Sequence, residues 1–249
     1  MKLRIGVVPY LNALPLYRYL PLSVRFETPR ELDRLMVAGE LDIALLPVFS
    51  FFKNPNFIPL FEAGAIGSDG PVESVALFYP EKLEKPTSIR SINYSEESMT
   101  SVSLFKVIYS QFWKMNLKTL IETKENADAR LVIGDKALFF NESGYNRVDL
   151  GEEWKKQTGL PFVYAIWVSR EPLDKESINM LVQAKKEGLK RIDEIVEGIK
   201  DWPKEKVYAY LTKSIQYEIN IKSLEGLKKF QDACFQIGLL EKKRQLLGL

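Results

Sequence analysis

The chain has 249 residues, 46% hydrophobic and 27% charged, with 35 lysines and arginines against 33 acidic residues for a net charge of +2. That composition predicts a globular protein with one large or two modest domains, and its mixed charge excludes any strong pull toward nucleic acid or an anionic membrane. There is no histidine and a single cysteine, which removes Ser-His-Asp and Cys-His catalysis, histidine metal ligands, a histidine base and any disulfide within the chain.

No uninterrupted apolar run reaches the ~20 residues of a membrane span. No apolar leader precedes the first strand, so the expected location is the cytoplasm.

Leu3, Ile5, Val7 and Val8 read as a buried first strand. Pro9 and Pro15 bracket a sharp turn around Asn12, and a short helix is expected over Ala13 to Leu20 with Asn12 as its cap. A strand, a tight loop and a helix start together offer backbone N–H groups to an anion. Val24 to Phe26 is a predicted strand. Thr28-Pro29-Arg30-Glu31 has capping-box spacing with proline at the first helical position, and Gly39 closes that helix. Asp42 to Pro47 is a continuous apolar strand, of the kind covered on both sheet faces. This alternation implies a parallel sheet with ligands at its carboxyl edge.

Gly64, Gly67 and Gly70 mark an expected flexible piece, followed by an extended strand from Val72 to Phe78. Pro80 to Pro86 reads as a surface connection. A second α/β unit then runs through a strand at Ile89 to Tyr94, a loop at Ser95 to Met99, and a helix capped by Thr100 or Ser101. Leu131 to Gly134 is a strand entering a helix at Asp135, and Phe162 to Val168 is a strand leading back. Ile178, Leu181, Val182, Leu189, Ile192, Ile195, Val196 and Ile199 mark one long amphipathic helix, followed by two shorter ones. Cys234 lies on the apolar stripe of the last helix and reads as core. The expected division is 1–79 plus 169–249 for one lobe and 80–168 for the other.

Two α/β lobes with a double crossover and a helical return resemble type II periplasmic binding proteins, which clamp a small anion in the cleft between lobes. Narrower motifs occur in order along the whole chain: Pro9-Tyr10-Leu11-Asn12-Ala13-Leu14-Pro15, Asp42-Ile43-Ala44-Leu45-Leu46-Pro47, Ser68-Asp69-Gly70-Pro71-Val72-Glu73-Ser74, Thr100-Ser101-Val102, Leu131-Val132-Ile133-Gly134-Asp135, and Asp149-Leu150-Gly151-Glu152-Glu153-Trp154. Together they resemble the chorismate dehydratase (MqnA) family of the futalosine route to menaquinone.

That resemblance implies removal of water from chorismate, a small dicarboxylate, to give 3-[(1-carboxyvinyl)oxy]benzoate, with no metal and no cofactor. It implies Asn12 at the ring hydroxyl or a developing charge near it, and Ser74 at a carboxylate or the leaving group, as the catalytic pair. Thr100 and Ser101 would hold a carboxylate, with Tyr10, Gly134 and Asp135 as further contacts. Many relatives carry arginine where this chain has Met99. The substrate's own enolpyruvyl carboxylate is the implied base. From residues alone, Thr100, Ser101 and Asp135 read equally as caps, and Tyr10 and Trp167 as pocket wall or core. Glu73 is expected to point opposite to Ser74 along a strand. Two other readings stay open: the dihydroxynaphthoate-forming sister enzyme, whose chemistry uses a histidine, and a non-catalytic anion-binding protein.

Overall fold

The structure, a computed structural model, describes residues 3–94 and 99–246. Ser95 to Ser98, most of the loop expected over Ser95 to Met99, lie outside the described residues. The strands are β1 (Ile5–Val7), β2 (Val24–Phe26), β3 (Ile43–Pro47), β4 (Ile58–Pro59), β5 (Ala65–Ser68), β6 (Val75–Pro80), β7 (Ser91–Tyr94), β8 (Ile121–Glu122), β9 (Ala129–Ile133), β10 (Tyr145–Asp149) and β11 (Phe162–Ser169). The helices are α1 (Leu14–Tyr17), α2 (Pro29–Ala38), α3 (Val48–Lys53), α4 (Met99–Val107), α5 (Asp135–Leu138), α6 (Leu150–Thr158), α7 (Lys175–Lys190), α8 (Ile192–Glu197), α9 (Lys204–Ala209) and α10 (Ile221–Gln236).

They form two sheets, one per lobe. The first runs β2-β1-β3-β11-β4, with β5 also on β11; the second runs β10-β6-β9-β7-β8. The β1, β2 and β3 strands are parallel, as the strand-helix alternation predicts, and β11 inserts antiparallel beside β3. Two of the expected lobe boundaries move. The expected division put β6 in the first lobe and β11 in the second, yet β6 pairs with β9 and β10, and β11 pairs with β3, β4 and β5. Each sheet recruits a strand from beyond the crossover, and an apolar run does not announce which sheet it joins.

Local chemistry explains several elements. Thr28 Oγ1 accepts the Glu31 N–H, Pro29 occupies the first helical position of α2, and Gly39 ends it at φ 75°. All five residues of β3 are buried, as its unbroken apolar run requires. The glycine-marked stretch expected to be flexible is instead β5, four buried residues of the first sheet. The expected strand from Val72 begins only at Val75, because the preceding residues bend and Glu73 takes φ 62°. The expected long helix breaks at Arg191 (φ −113°, ψ 34°), and the new direction keeps Ile192, Ile195 and Val196 of α8 buried. Cys234 is fully buried within α10. Among the described residues no helix is long and apolar enough to cross a membrane.

Candidate functional site

A cleft with about 580 Å³ of unfilled space, counted to its open mouth, lies between the two sheets. Its apolar walls come from both lobes: Val8, Leu45, Pro47 and Ile66 from the first, Val75 and Ile133 from the second. Tyr10, Asn12, Ser74, Thr100, Ser101 and Gly134, scattered along the chain, all line it. Among the described residues, none of those lining the cleft is a lysine or arginine. Met99 is part of the wall, so hydroxyl and backbone donors must serve any anion there.

Asn12 does not cap a helix. It sits buried in a 3₁₀ turn, Leu11–Ala13, whose preceding residue Tyr10 makes no side-chain cap. Its Nδ2 donates instead to Tyr210 Oη at 2.9 Å, while its Oδ1 is buried without a partner among the described residues. Burial pushes the Tyr210 hydroxyl above its ordinary range, so it stays protonated.

Ser74 belongs to the first crossover between sheets, and that segment is held from three sides. Asp149 accepts from Val72 N (3.1 Å) and Glu73 N (2.7 Å), and caps α6 through Gly151 N and Glu152 N. Arg147 Nη2 donates to the Glu73 carbonyl at 2.7 Å. The Glu73 side chain, expected at a solvent or lobe surface, accepts the Ser214 hydroxyl instead. Burial lifts the Asp149 carboxyl, and its backbone donors and Arg147 pull it back. On the far side, Gly134 N donates to the Ser74 carbonyl at 2.8 Å.

Gly134 itself is fixed by geometry. It has φ 63° and ψ −150°, and a Cβ there would meet the Tyr10 ring at 3.2 Å. Only glycine tolerates that conformation comfortably. Asp135, expected to touch ligand, does not line the cleft. Its Oδ1 accepts Leu11 N–H at 3.2 Å and so ties α5 to the loop carrying Asn12. Phe139, just beyond α5, stacks on Trp202 at 3.9 Å and adds a second tie between the second sheet's helix and the C-terminal return. Thr100 lies inside the first turn of α4 rather than before it, and its Oγ1 accepts Phe49 N–H of α3 at 3.2 Å.

Of the two readings open for Trp167, pocket wall or core, the structure has core. Trp167 is fully buried in the core, and Tyr164 lines the cleft in its place. The pairing of β11 with β5 shifts register between Val163 and Ala165, which leaves Tyr164 as an extra residue. Such a bulge breaks the strict two-residue alternation, so Tyr164 and Ala165 both reach the cleft. Its hydroxyl lies 3.3 Å from Ser68 Oγ. A Cβ on Gly151 would stand 2.6 Å from both Tyr164 Oη and the Gly70 carbonyl, so glycine lets α6 close against this corner.

The chain is similar to known proteins in sequence and in fold. The chain is 28% identical over 223 residues to chorismate dehydratase of Thermus thermophilus, covering 78% of this chain and 80% of that one. It is 26% identical to chorismate dehydratase of Campylobacter jejuni, covering 94% and 98%. Its fold matches a Candida albicans gene product with the generic periplasmic binding protein fold, at TM-score 0.65 and 15% identity over 98% of this chain and 92% of that one. A family model described as menaquinone biosynthesis matches residues 3–236. The chain belongs to that menaquinone-biosynthesis family.

Proposed function

We propose that this chain is a chorismate dehydratase, a lyase that converts chorismate to 3-[(1-carboxyvinyl)oxy]benzoate and water. The observation that carries the reading is that Asn12, Ser74, Thr100 and Ser101, far apart in the chain, line one cleft between the lobes. Membership in a menaquinone-biosynthesis family, with relatives named for this reaction, supports it.

The chemistry suits such a site. A proton leaves the ring carbon bearing the enolpyruvyl ether, and its electron pair becomes a ring π bond. Hydroxide leaves the neighbouring carbon with the C–O pair, so proton and hydroxide together make water. The ring becomes aromatic, and the driving force therefore resides in the substrate. The protein has to hold the dicarboxylate in one pose, keep water out and stabilise the departing oxygen.

On this reading Ser74 hydrogen-bonds the leaving hydroxyl and Asn12 contacts the ring hydroxyl region. Thr100 and Ser101 hold a carboxylate at the start of α4. Tyr10 and Tyr164 wall the ring, and the substrate's enolpyruvyl carboxylate takes the proton. The working compartment is the cytoplasm.

The test is steady-state turnover of chorismate, followed by the ultraviolet absorbance of the aromatic product. Asn12→Ala and Ser74→Ala are expected to lower kcat by about 100-fold each. Wild-type rates in both variants would remove these residues from the reaction. Chorismate binding without turnover in the wild type would leave an anion-binding protein.

A further inference from the structure

Ser74 reaches the cleft from a strained turn. Its N–H donates back to the Val72 carbonyl at 2.7 Å, and Glu73 between them has φ 62°. A hydrogen bond closed over a single left-handed residue is the pattern of the rare and strained form of the γ-turn. Glycine would take that φ freely, whereas glutamate takes it only where its surroundings impose it. The turn directly precedes β6, and Ser74, 1% exposed, ends it at the cleft wall.

Both backbone groups and the side chain of Glu73 are held. Its N–H donates to Asp149 Oδ2 and its carbonyl accepts from Arg147 Nη2, each at 2.7 Å, and both partners belong to β10. Its carboxylate accepts the Ser214 hydroxyl, which comes from the C-terminal return. Ser214 closes the π-helical turn Tyr210–Ser214 directly after α9, an irregularity frequent at functional sites. The first residue of that turn, Tyr210, accepts from Asn12 Nδ2 at 2.9 Å. One turn of the return therefore holds both Asn12 and the residue before Ser74.

We propose that Glu73 is a positioning residue: its side chain, tied to Ser214, holds the left-handed turn that sets Ser74 at the cleft. This rests on the dehydratase reading, in which Ser74 hydrogen-bonds the departing hydroxyl. Without the tie, relief of the strained φ favours other turn geometries, and Ser74 spends less of its time in place. A hydrogen bond to the leaving oxygen counts most as negative charge builds there, so the loss falls on kcat more than on KM.

Kinetics on chorismate are compared for the wild type, Glu73→Ala, Glu73→Gln, Ser214→Ala, Ser74→Ala and the double variant Glu73→Ala with Ser74→Ala. Glu73→Ala and Ser214→Ala each remove the tie and are expected to lower kcat about 10-fold with KM within about 3-fold. Glu73→Gln keeps an oxygen for the Ser214 hydroxyl and is expected to hold kcat within about 3-fold of the wild type. In the Ser74→Ala background, Glu73→Ala is expected to cause no further loss. Losses that multiply, a change confined to KM, a glutamine variant as slow as the alanine one, or unchanged kinetics would overturn the positioning role.

A second readout is independent of turnover: solvent exchange of the Ser74 backbone amide, followed by NMR with the signal assigned through Ser74→Ala. The amide is expected to be protected in the wild type and in Glu73→Gln, and to exchange about 10-fold faster or more in Glu73→Ala and Ser214→Ala. Equal protection in all four, or free exchange in the wild type, overturns the proposal. If the wild type leaves chorismate intact, the functional reading fails while the exchange still judges the tie between Glu73 and Ser214. If Glu73→Ala does not fold, Ser214→Ala and Glu73→Gln decide by the same measurements.

Discussion

Asn12 and Tyr210 stand 198 positions apart and share a buried hydrogen bond of 2.9 Å. The first loop and the C-terminal return meet there, so the site is complete only once the last helices have packed. Asn12→Asp keeps the shape of the side chain but, when ionised, offers acceptors where an amide donor was. It is expected to lower kcat by about 100-fold while far-ultraviolet circular dichroism stays unchanged. Retained turnover would show that the amide proton plays no part.

Asp135 gives the fold a dependence on pH. Burial raises its carboxyl from 3.8 to about 6, opposed by the Leu11 N–H. A raised carboxyl binds its proton more tightly in the folded state, so its contribution is fullest below the lower value and is lost as pH climbs through the upper one. Asp135→Asn is therefore expected to be more stable than the wild type at pH 7, by at most about 3 kcal/mol. The advantage should shrink toward zero at pH 4, measured by urea unfolding at both pH values. An advantage equal at both would mean that ionisation of Asp135 is not its source.

Asp149 is the anchor of the crossover that presents Ser74. Its carboxylate takes four backbone N–H groups, from Val72, Glu73, Gly151 and Glu152. Asp149→Ala leaves those donors without their acceptor, at an expected cost of about 2–4 kcal/mol in chemical denaturation. It should also depress kcat, because Ser74 loses its fixed position. A stability change under ~0.5 kcal/mol would mean that water or other acceptors replace the carboxylate.

Gly134→Ala tests the contact between α5 and Tyr10. The backbone angles there are open to glycine, and the added methyl would press on the Tyr10 ring at 3.2 Å. The expected loss of stability is about 1–3 kcal/mol, with a raised KM as the ring is displaced into the cleft. An unchanged melting temperature would show that the β9–α5 turn relaxes without strain.

Much of this arrangement is legible in the amino-acid sequence, and the remainder is hidden for identifiable reasons. The strand at β3, the Thr28 cap and the run from β9 into α5 follow from local chemistry that neighbouring residues declare. Tyr10, Asn12, Ser74, Thr100, Ser101 and Gly134 were drawn together by motif resemblance, and they share one cleft. Tyr210 and Ser214 carry no such signal, because their partners lie far off in sequence and a tyrosine on a helical stripe reads as core. Tyr164 is masked by the bulge, which defeats counting by twos. Asp135 was assigned to ligand because a strand-end acid suits either role, and only the three-dimensional position of Leu11 decides between them.

The most direct measurement is the mass of the product after the purified chain is incubated with chorismate. The expected result is loss of one water and formation of the aromatic ether 3-[(1-carboxyvinyl)oxy]benzoate, in many turnovers per protein chain. Chorismate recovered intact, or a product that retains the water, would contradict the dehydratase reading.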